Sequence, residues 1–140
     1  MSELQACDRV KQNQFYHKKE LLYTTVVPGQ DLKTYKMENV SQNDWAKKIQ
    51  NSDNCVVLDV RTPAECHEGI QPNAQQINVL DTQNFLNEIE KLDKSKEYYV
   101  YCRSGGRSSQ ACVIMDSRGF KSTYNLLGGM SSWTGEVVLP

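Results

Sequence analysis

Residues 97–108 read Glu97-Tyr98-Tyr99-Val100-Tyr101-Cys102-Arg103-Ser104-Gly105-Gly106-Arg107-Ser108. Glu97 to Tyr101 carries the aromatic and β-branched residues of a strand. Two glycines then sit in the connection to a helix whose inward residues are Ala111, Ile114 and Met115, and Gly119 stops it. A strand running through a glycine-containing loop into a helix is the repeating unit of α/β proteins.

The same unit recurs on either side. Cys55 to Val60 (CVVLDV) is a short, nearly continuous apolar run, as expected of a strand covered on both faces. Thr62-Pro63-Ala64-Glu65 then reads as a capping box with proline at the first helical position. Gln76 to Val79 is a further strand, and Thr82 to Leu92 a helix with Phe85, Leu86 and Ile89 on its buried stripe. Downstream, Ser122 to Leu126 is the last strand, and Gly128-Gly129 leads into a short closing helix holding Trp133. Upstream, Thr34 to Met37 reads as a strand, and Ser41 caps a helix whose apolar positions Trp45, Ala46 and Ile49 share one face. Alternating strands and helices require crossover connections, so the fold class is α/β with a parallel sheet helix-covered on both faces. Binding sites in such sheets lie beyond the carboxyl ends of the strands, and Cys102 occupies one of those ends.

The 140 residues suit one ordinary domain. Residues 34–140 are assigned to it and residues 1–33 to an N-terminal extension. Within the extension only Leu21 to Val27 is β-rich, ending at the turn signal Pro28-Gly29. The extension is either a leader without catalytic importance or an extra strand or partner segment. Hydrophobic residues make up 39% of the chain and there are 8 glycines, which together reach the globular average of about 45% and exclude wholesale disorder. Sixteen Lys and Arg against 17 Asp and Glu give a formal charge of −1, which argues against nucleic acid or an anionic membrane as a partner held by overall charge. No stretch approaches the roughly 18 consecutive apolar residues of a spanning helix, and the start lacks the pattern of a secretory signal, so a cytoplasmic location is expected. Five cysteines (Cys7, Cys55, Cys66, Cys102 and Cys112) without a C-x-x-C pair point to neither a disulfide framework nor a zinc knuckle.

The chemistry concentrates at Cys102. Glycines in a strand-to-helix turn let successive N–H groups converge on an anion, and the helix dipole adds to that field. A thiolate there is stabilised. Lowering a thiol pKa from about 8.5 to about 6.5 raises the thiolate fraction roughly 25-fold but reduces its nucleophilicity roughly 8-fold, a net gain of only about threefold. A doubly charged substrate about 4 Å from the thiolate would be repelled by up to about 8 kcal/mol at an effective dielectric of about 20. Arg103 and Arg107, with the loop amides, are the groups available to cancel that repulsion.

These residues resemble a rhodanese domain, and the chain is similar to single-domain sulfurtransferases from about Met37 to Trp133. The resemblance is carried by Leu58-Asp59-Val60-Arg61 with Pro63 and Glu65, by Tyr101 to Ser108, by Gly119-Phe120, and by Asn125-Leu126-Leu127-Gly128-Gly129-Met130 with Trp133. It implies a five-stranded parallel sheet and a double displacement in which Cys102 becomes a persulfide. A small anionic sulfur donor such as thiosulfate would load Cys102, and cyanide or a thiol, including a protein thiol, would unload it. Arg103, Ser104, Gly105, Gly106 and Arg107 would cradle the substrate, while Asp59, Arg61 and Glu65 would brace the loop by ion pairing. No metal and no organic cofactor is implied. Cys102 to Arg107 spans six residues, the sulfurtransferase length, whereas related phosphatases and arsenate reductases resemble Cys-x5-Arg, one residue longer.

Where many members read Glu-Phe-x-x-Gly-His-Ile-Pro-Gly-Ala, this chain has Glu65-Cys66-His67-Glu68-Gly69-Ile70-Gln71-Pro72-Asn73-Ala74. Asn73 replaces a glycine and can accept a positive φ. Cys66 is read either as an inert thiol or as a second redox thiol. Cys55 and Cys112 are expected to be buried and inert, and His17 and His67 to be ordinary surface or turn residues. A non-catalytic rhodanese module for partner recognition or regulation, and a persulfide relay to a protein thiol, are the alternative functions.

Overall fold

A computed structural model of the chain describes residues 24–25, 33–34 and 36–140. Two units are distinguished, Met1–Tyr35 and Lys36–Pro140. In the first, β1 (Thr24–Thr25) pairs antiparallel with β2 (Lys33–Thr34). Cys7, His17 and most of the N-terminal extension lie outside the described residues.

The second unit contains β3 (Glu38–Val40), α1 (Gln42–Gln50), β4 (Cys55–Asp59), α2 (Pro63–Cys66), β5 (Gln75–Gln76), α3 (Thr82–Ile89), β6 (Glu97–Tyr101), α4 (Gly106–Ser117), β7 (Ser122–Leu126) and α5 (Gly129–Ser132). Five strands form one sheet in the order β3-β7-β6-β4-β5, every pairing parallel. The expected five-stranded parallel sheet is therefore present.

Side-chain alternation along β4 and β6 builds two cores, one on each face. Leu58, Val60, Tyr98, Val100 and Cys102 pack with Phe85 and Ile89 of α3 and with Ala111, Cys112 and Met115 of α4. Val57, Tyr99 and Tyr101 pack on the other face with Trp45 of α1, where Val40 and Leu126 join them. Both faces are thus helix-covered, which explains the continuous apolar run at Cys55 to Val60.

Local signals give the element ends. Ser41 accepts from the Asp44 N–H at the start of α1. At α2 the Thr62 and Glu65 side chains and amides bond reciprocally in a capping box. Gly119, at φ 96°, follows the end of α4, and Asn73 adopts φ 64°.

Several boundaries differ from the sequence expectation, among them the closing helix, which ends at Ser132 with Trp133 just past it. The strand expected at Thr34 to Met37 is displaced: Glu38–Val40 joins the sheet beside β7, and Lys33–Thr34 pairs with β1. Only Val40 is buried among the three residues of β3, so alternation carries too little signal to place so short an edge strand. At the opposite edge, β5 is Gln75–Gln76, and Ile77 and Val79 continue through single backbone bonds to Asp59 and Val60. Helix α3 ends at Ile89, and Lys91 and Leu92 follow in tight turns. No helix among the described residues is long and apolar enough to cross a membrane.

Candidate active site

Strand β6 delivers Cys102 to the carboxyl edge of the sheet, where the chain turns sharply into α4. The turn needs Gly105, which sits at φ 106° as the residue before α4. This conformation aims two amides at the sulfur. Gly105 N–H lies 3.1 Å and Ser108 N–H 3.4 Å from Cys102 Sγ, and the Ser108 hydroxyl oxygen lies 3.3 Å away. Burial pushes the Cys102 thiol up, but these hydrogen bonds, with a contribution from the Ser104 amide, outweigh it and leave the thiol below its ordinary value. A sulfur held this way can carry negative charge.

Cys102 itself is buried within this nest of amides. Only 1% of the residue is exposed. Helix α5 accounts for part of the cover: Met130 N–H donates to Cys102 O at 2.9 Å and Ser131 N–H to Arg103 O at 2.8 Å. This close approach depends on Gly129. A Cβ there would stand 2.5 Å from Cys102 O and 2.6 Å from Arg103 O, both backbone atoms, at a φ of +53°. Gly129→Ala is therefore expected to cost about 2–3 kcal/mol through overpacking and the left-handed backbone. Urea unfolding measures it, and an unchanged midpoint would contradict the contact.

The two loop arginines share one carboxylate. Arg107 Nη1 and Nη2 donate to Glu65 Oε1 and Oε2 at 2.8 and 2.9 Å, and Arg103 Nε donates to Glu65 Oε2 at 3.0 Å. Arg103 also approaches Glu68 at 4.0 Å. The loop cations are thus already paired, with Glu65 as the ion-pairing residue. Glu65 can serve both because its capping-box bonds to Thr62 fix the carboxylate at the start of α2. The Arg107 guanidinium, followed by Thr62 N–H and Arg103, holds the Glu65 carboxyl well below the usual carboxylate range.

A pH dependence follows from that shift. The folded-state pKa lies below the unfolded value of about 4.3, so the unfolded chain binds more protons as acid is added. Glu65 should stabilise the fold fully above that value and progressively less as pH falls below it. Glu65→Gln should flatten the fall in unfolding free energy between about pH 5 and pH 3, as urea titrations at each pH would show. An identical slope in both proteins would remove Glu65 from the account.

Asp59 and Arg61 do not join this cluster. Asp59 is fully buried and binds Arg61 through the backbone N–H at 3.0 Å, Nε at 2.9 Å and Nη2 at 2.6 Å. Arg61 Nη2 also donates to Gly69 O at 2.7 Å. Among the described residues this pair makes no hydrogen bond to the Cys102 loop; it ties the end of β4 to the turn after α2. Strand β4 ends with Asp59 facing the interior, which is why the pair turns inward.

Ser104 and Gly106 are exposed at the rim of the loop. Cys66 is buried, and burial, followed by the negative charge of Asp59, pushes its thiol up to about 12. Cys112 is buried and its thiol likewise raised by burial, Cys55 is half-buried, and His67 is exposed.

Three polar residues at the site escaped the list drawn from sequence. Ser108 supplies a donor from the first turn of α4, a position readable from its spacing to Cys102. Asn125 of β7 accepts from the Ser108 hydroxyl at 2.5 Å, and its Nδ2 donates to Asn39 Oδ1 at 2.9 Å and Gly105 O at 3.3 Å. Asn125 stands in one of the blocks that carry the resemblance, whereas Asn39 has no local signal, and strand pairing sets the two side by side.

Comparison with known proteins places this geometry in context. The model of the Rhodanese-like domain family matches residues 42–136. A candidate sulfurtransferase, YtwF of Bacillus subtilis, is 39% identical over 101 residues, covering 72% of this chain and 94% of that protein. A tRNA uridine(34) hydroxylase of Pelagibacter ubique is 31% identical over 126 residues, covering 88% of this chain and 42% of that protein. Among solved structures, a rhodanese-like domain protein from Staphylococcus aureus superposes with a TM-score of 0.65 at 28% identity, covering 74% of this chain and 99% of that one.

Proposed function

The chain belongs to the rhodanese-like domain family, and from that premise we propose that it is a sulfurtransferase working through a persulfide on Cys102. Sulfane sulfur from thiosulfate or a similar donor passes to a thiophilic acceptor, cyanide or a thiol. The observation that supports this most is the convergence of the Gly105 and Ser108 amides on Cys102 Sγ.

In the first half-reaction the thiolate attacks the outer sulfur of thiosulfate. A bond forms between Sγ and that sulfur, the donor S–S bond breaks, and its electron pair leaves on sulfite. The outer sulfur of the persulfide then carries the negative charge. In the second half-reaction the acceptor's lone pair takes that sulfur, as cyanide would to form thiocyanate, and the electron pair returns to Sγ as thiolate. The amides stabilise charge at Sγ at the start and end of the cycle. Cys102 is almost fully buried, and the neighbouring Arg103 side chain is about half exposed.

Arg107 has the stricter role. Its two-pronged bond to Glu65 fixes the guanidinium plane beside the loop, and a lysine keeps the charge without the fork. Arg107→Lys is expected to raise KM for thiosulfate about tenfold, on the order of 1.4 kcal/mol, with a smaller change in kcat. Saturation curves measure this, and unchanged saturation would refute the positioning role.

The test of the function is intact-mass measurement after incubation with thiosulfate. A gain of one sulfur atom, located on the Cys102 peptide and removed by cyanide with release of thiocyanate, is the expected result. No gain with thiosulfate or with other sulfane donors would overturn it in favour of a partner-recognition module.

A further inference from the structure

The Ser108 hydroxyl stands between two acceptors and has one proton to give. Ser108 is fully buried, and its neighbours Cys102 and Asn125 are 1% and 3% exposed, so water does not make up a deficit. The hydroxyl oxygen is 2.5 Å from Asn125 Oδ1 and 3.3 Å from Cys102 Sγ. The amide of Asn125 is fixed in this orientation because its Nδ2 donates to Asn39 Oδ1 and to Gly105 O. Turning it over would set Oδ1 against the Gly105 carbonyl, two acceptors facing each other.

With Cys102 as a thiol every group is satisfied: S–H donates to Ser108 Oγ, and the Ser108 hydroxyl donates to Asn125 Oδ1. When the thiol proton is lost to water, the charged sulfur has nothing to donate and takes a third donor beside the Gly105 and Ser108 amides. The Ser108 hydroxyl can rotate to supply one, but Asn125 Oδ1 is then left buried without a partner, facing the lone pairs of Oγ. Once a second sulfur is bound, the charge moves to the outer atom and Sγ becomes a weak acceptor. The hydroxyl then turns back to Asn125.

We propose that Asn125 is a positioning residue that competes with Cys102 for the single proton of Ser108, so that Sγ receives the hydroxyl bond only while it is the charged sulfur. Beyond the ionisation of Cys102 itself, no proton changes its covalent partner in this switch; one O–H bond rotates. The competition penalises the free thiolate relative to the persulfide and so favours the sulfur-loaded protein.

The inference rests on Cys102 as the sulfur-accepting residue, but its test needs no donor. The iodoacetamide alkylation rate of the Cys102 peptide against pH gives the ionisation midpoint directly. Asn125→Leu, which removes the competing acceptor, is expected to lower the midpoint by about one unit, a tenfold rise in thiolate below the midpoint. Ser108→Ala should raise it by about one unit through loss of a donor to a charged sulfur. In Ser108→Ala, adding Asn125→Leu should change the midpoint by less than about 0.3 units, because Asn125 then has nothing to compete for. An unchanged or raised midpoint in Asn125→Leu, or an equal drop with and without Ser108, would overturn the proposal.

A measurement on the unaltered side chain covers the case in which Asn125→Leu does not fold. The NMR shift of the Asn125 side-chain carbonyl carbon should move upfield with the Cys102 midpoint as its hydrogen bond is lost, and this movement should vanish in Ser108→Ala. A carbonyl shift that stays flat, or that moves equally in both proteins, would overturn the proposal. Sulfur loading without this coupling defeats the Asn125 inference alone. Coupling without sulfur loading defeats the functional reading alone.

Discussion

Replacing Cys102 by serine is expected to abolish sulfur loading and to lower sulfur transfer by at least about a thousandfold, or about 4 kcal/mol of barrier. A serine hydroxyl stays protonated at neutral pH even beside two amides, and it forms no persulfide. The fold should survive, because the substitution exchanges one small buried atom for another and the change in unfolding free energy should stay near 1 kcal/mol. Thiocyanate formation, intact mass and urea unfolding, measured on the same preparation, separate lost chemistry from lost structure. The other described cysteines should not take over. The Cys66 thiol, pushed up to about 12 by burial and by Asp59, supplies almost no thiolate at neutral pH, so it is poorly suited to a second redox role. Sulfur retained on the Cys102→Ser protein would break the assignment of the persulfide to Cys102.

Asp59→Ala should produce the largest loss of stability, about 3–5 kcal/mol, because it strands the Arg61 guanidinium in the interior. Asp59 is fully buried and the Arg61 side chain is 4% exposed, so solvent gives little relief. Of the polar contacts described, only the bond from Nη2 to Gly69 O would remain. The double substitution Asp59→Ala with Arg61→Met should cost less than Asp59→Ala alone, since no unpaired charge is left. Urea unfolding of the two single variants and the double variant tests this. A double variant as unstable as the sum of the singles would mean that the pair acts through packing.

The two predictions separate the parts of the carboxyl edge. In the proposed function Cys102 and its amides hold charge for chemistry, whereas Asp59 and Arg61 tie the end of β4 to the turn after α2. Glu65 links them: it lies on the helix between β4 and that turn, and it grips both loop arginines. Its carboxylate therefore orders Arg103 and Arg107 and also limits how much positive charge they would present to the anionic donor of the proposed reaction.

The amino-acid sequence by itself determined whatever depends on residues within a few positions of one another. The strand-to-helix turn at Cys102, the reciprocal cap at Thr62 and Glu65, the stop at Gly119 and the left-handed Asn73 all follow from contacts between near neighbours, and the apolar runs of the central strands record burial on both faces. Tertiary structure decided which distant groups meet. Glu65 pairs with arginines 38 and 42 positions away, Asn125 and Asn39 reach the loop across a strand pairing, and α5 folds over Cys102. The edge strands β3 and β5 belong here too, since two or three residues hold no usable alternation. The physical reason is strand order: placing β6 between β7 and β4 sets the partners of its carboxyl end, and that order is a property of the packed sheet, absent from any local stretch of chain.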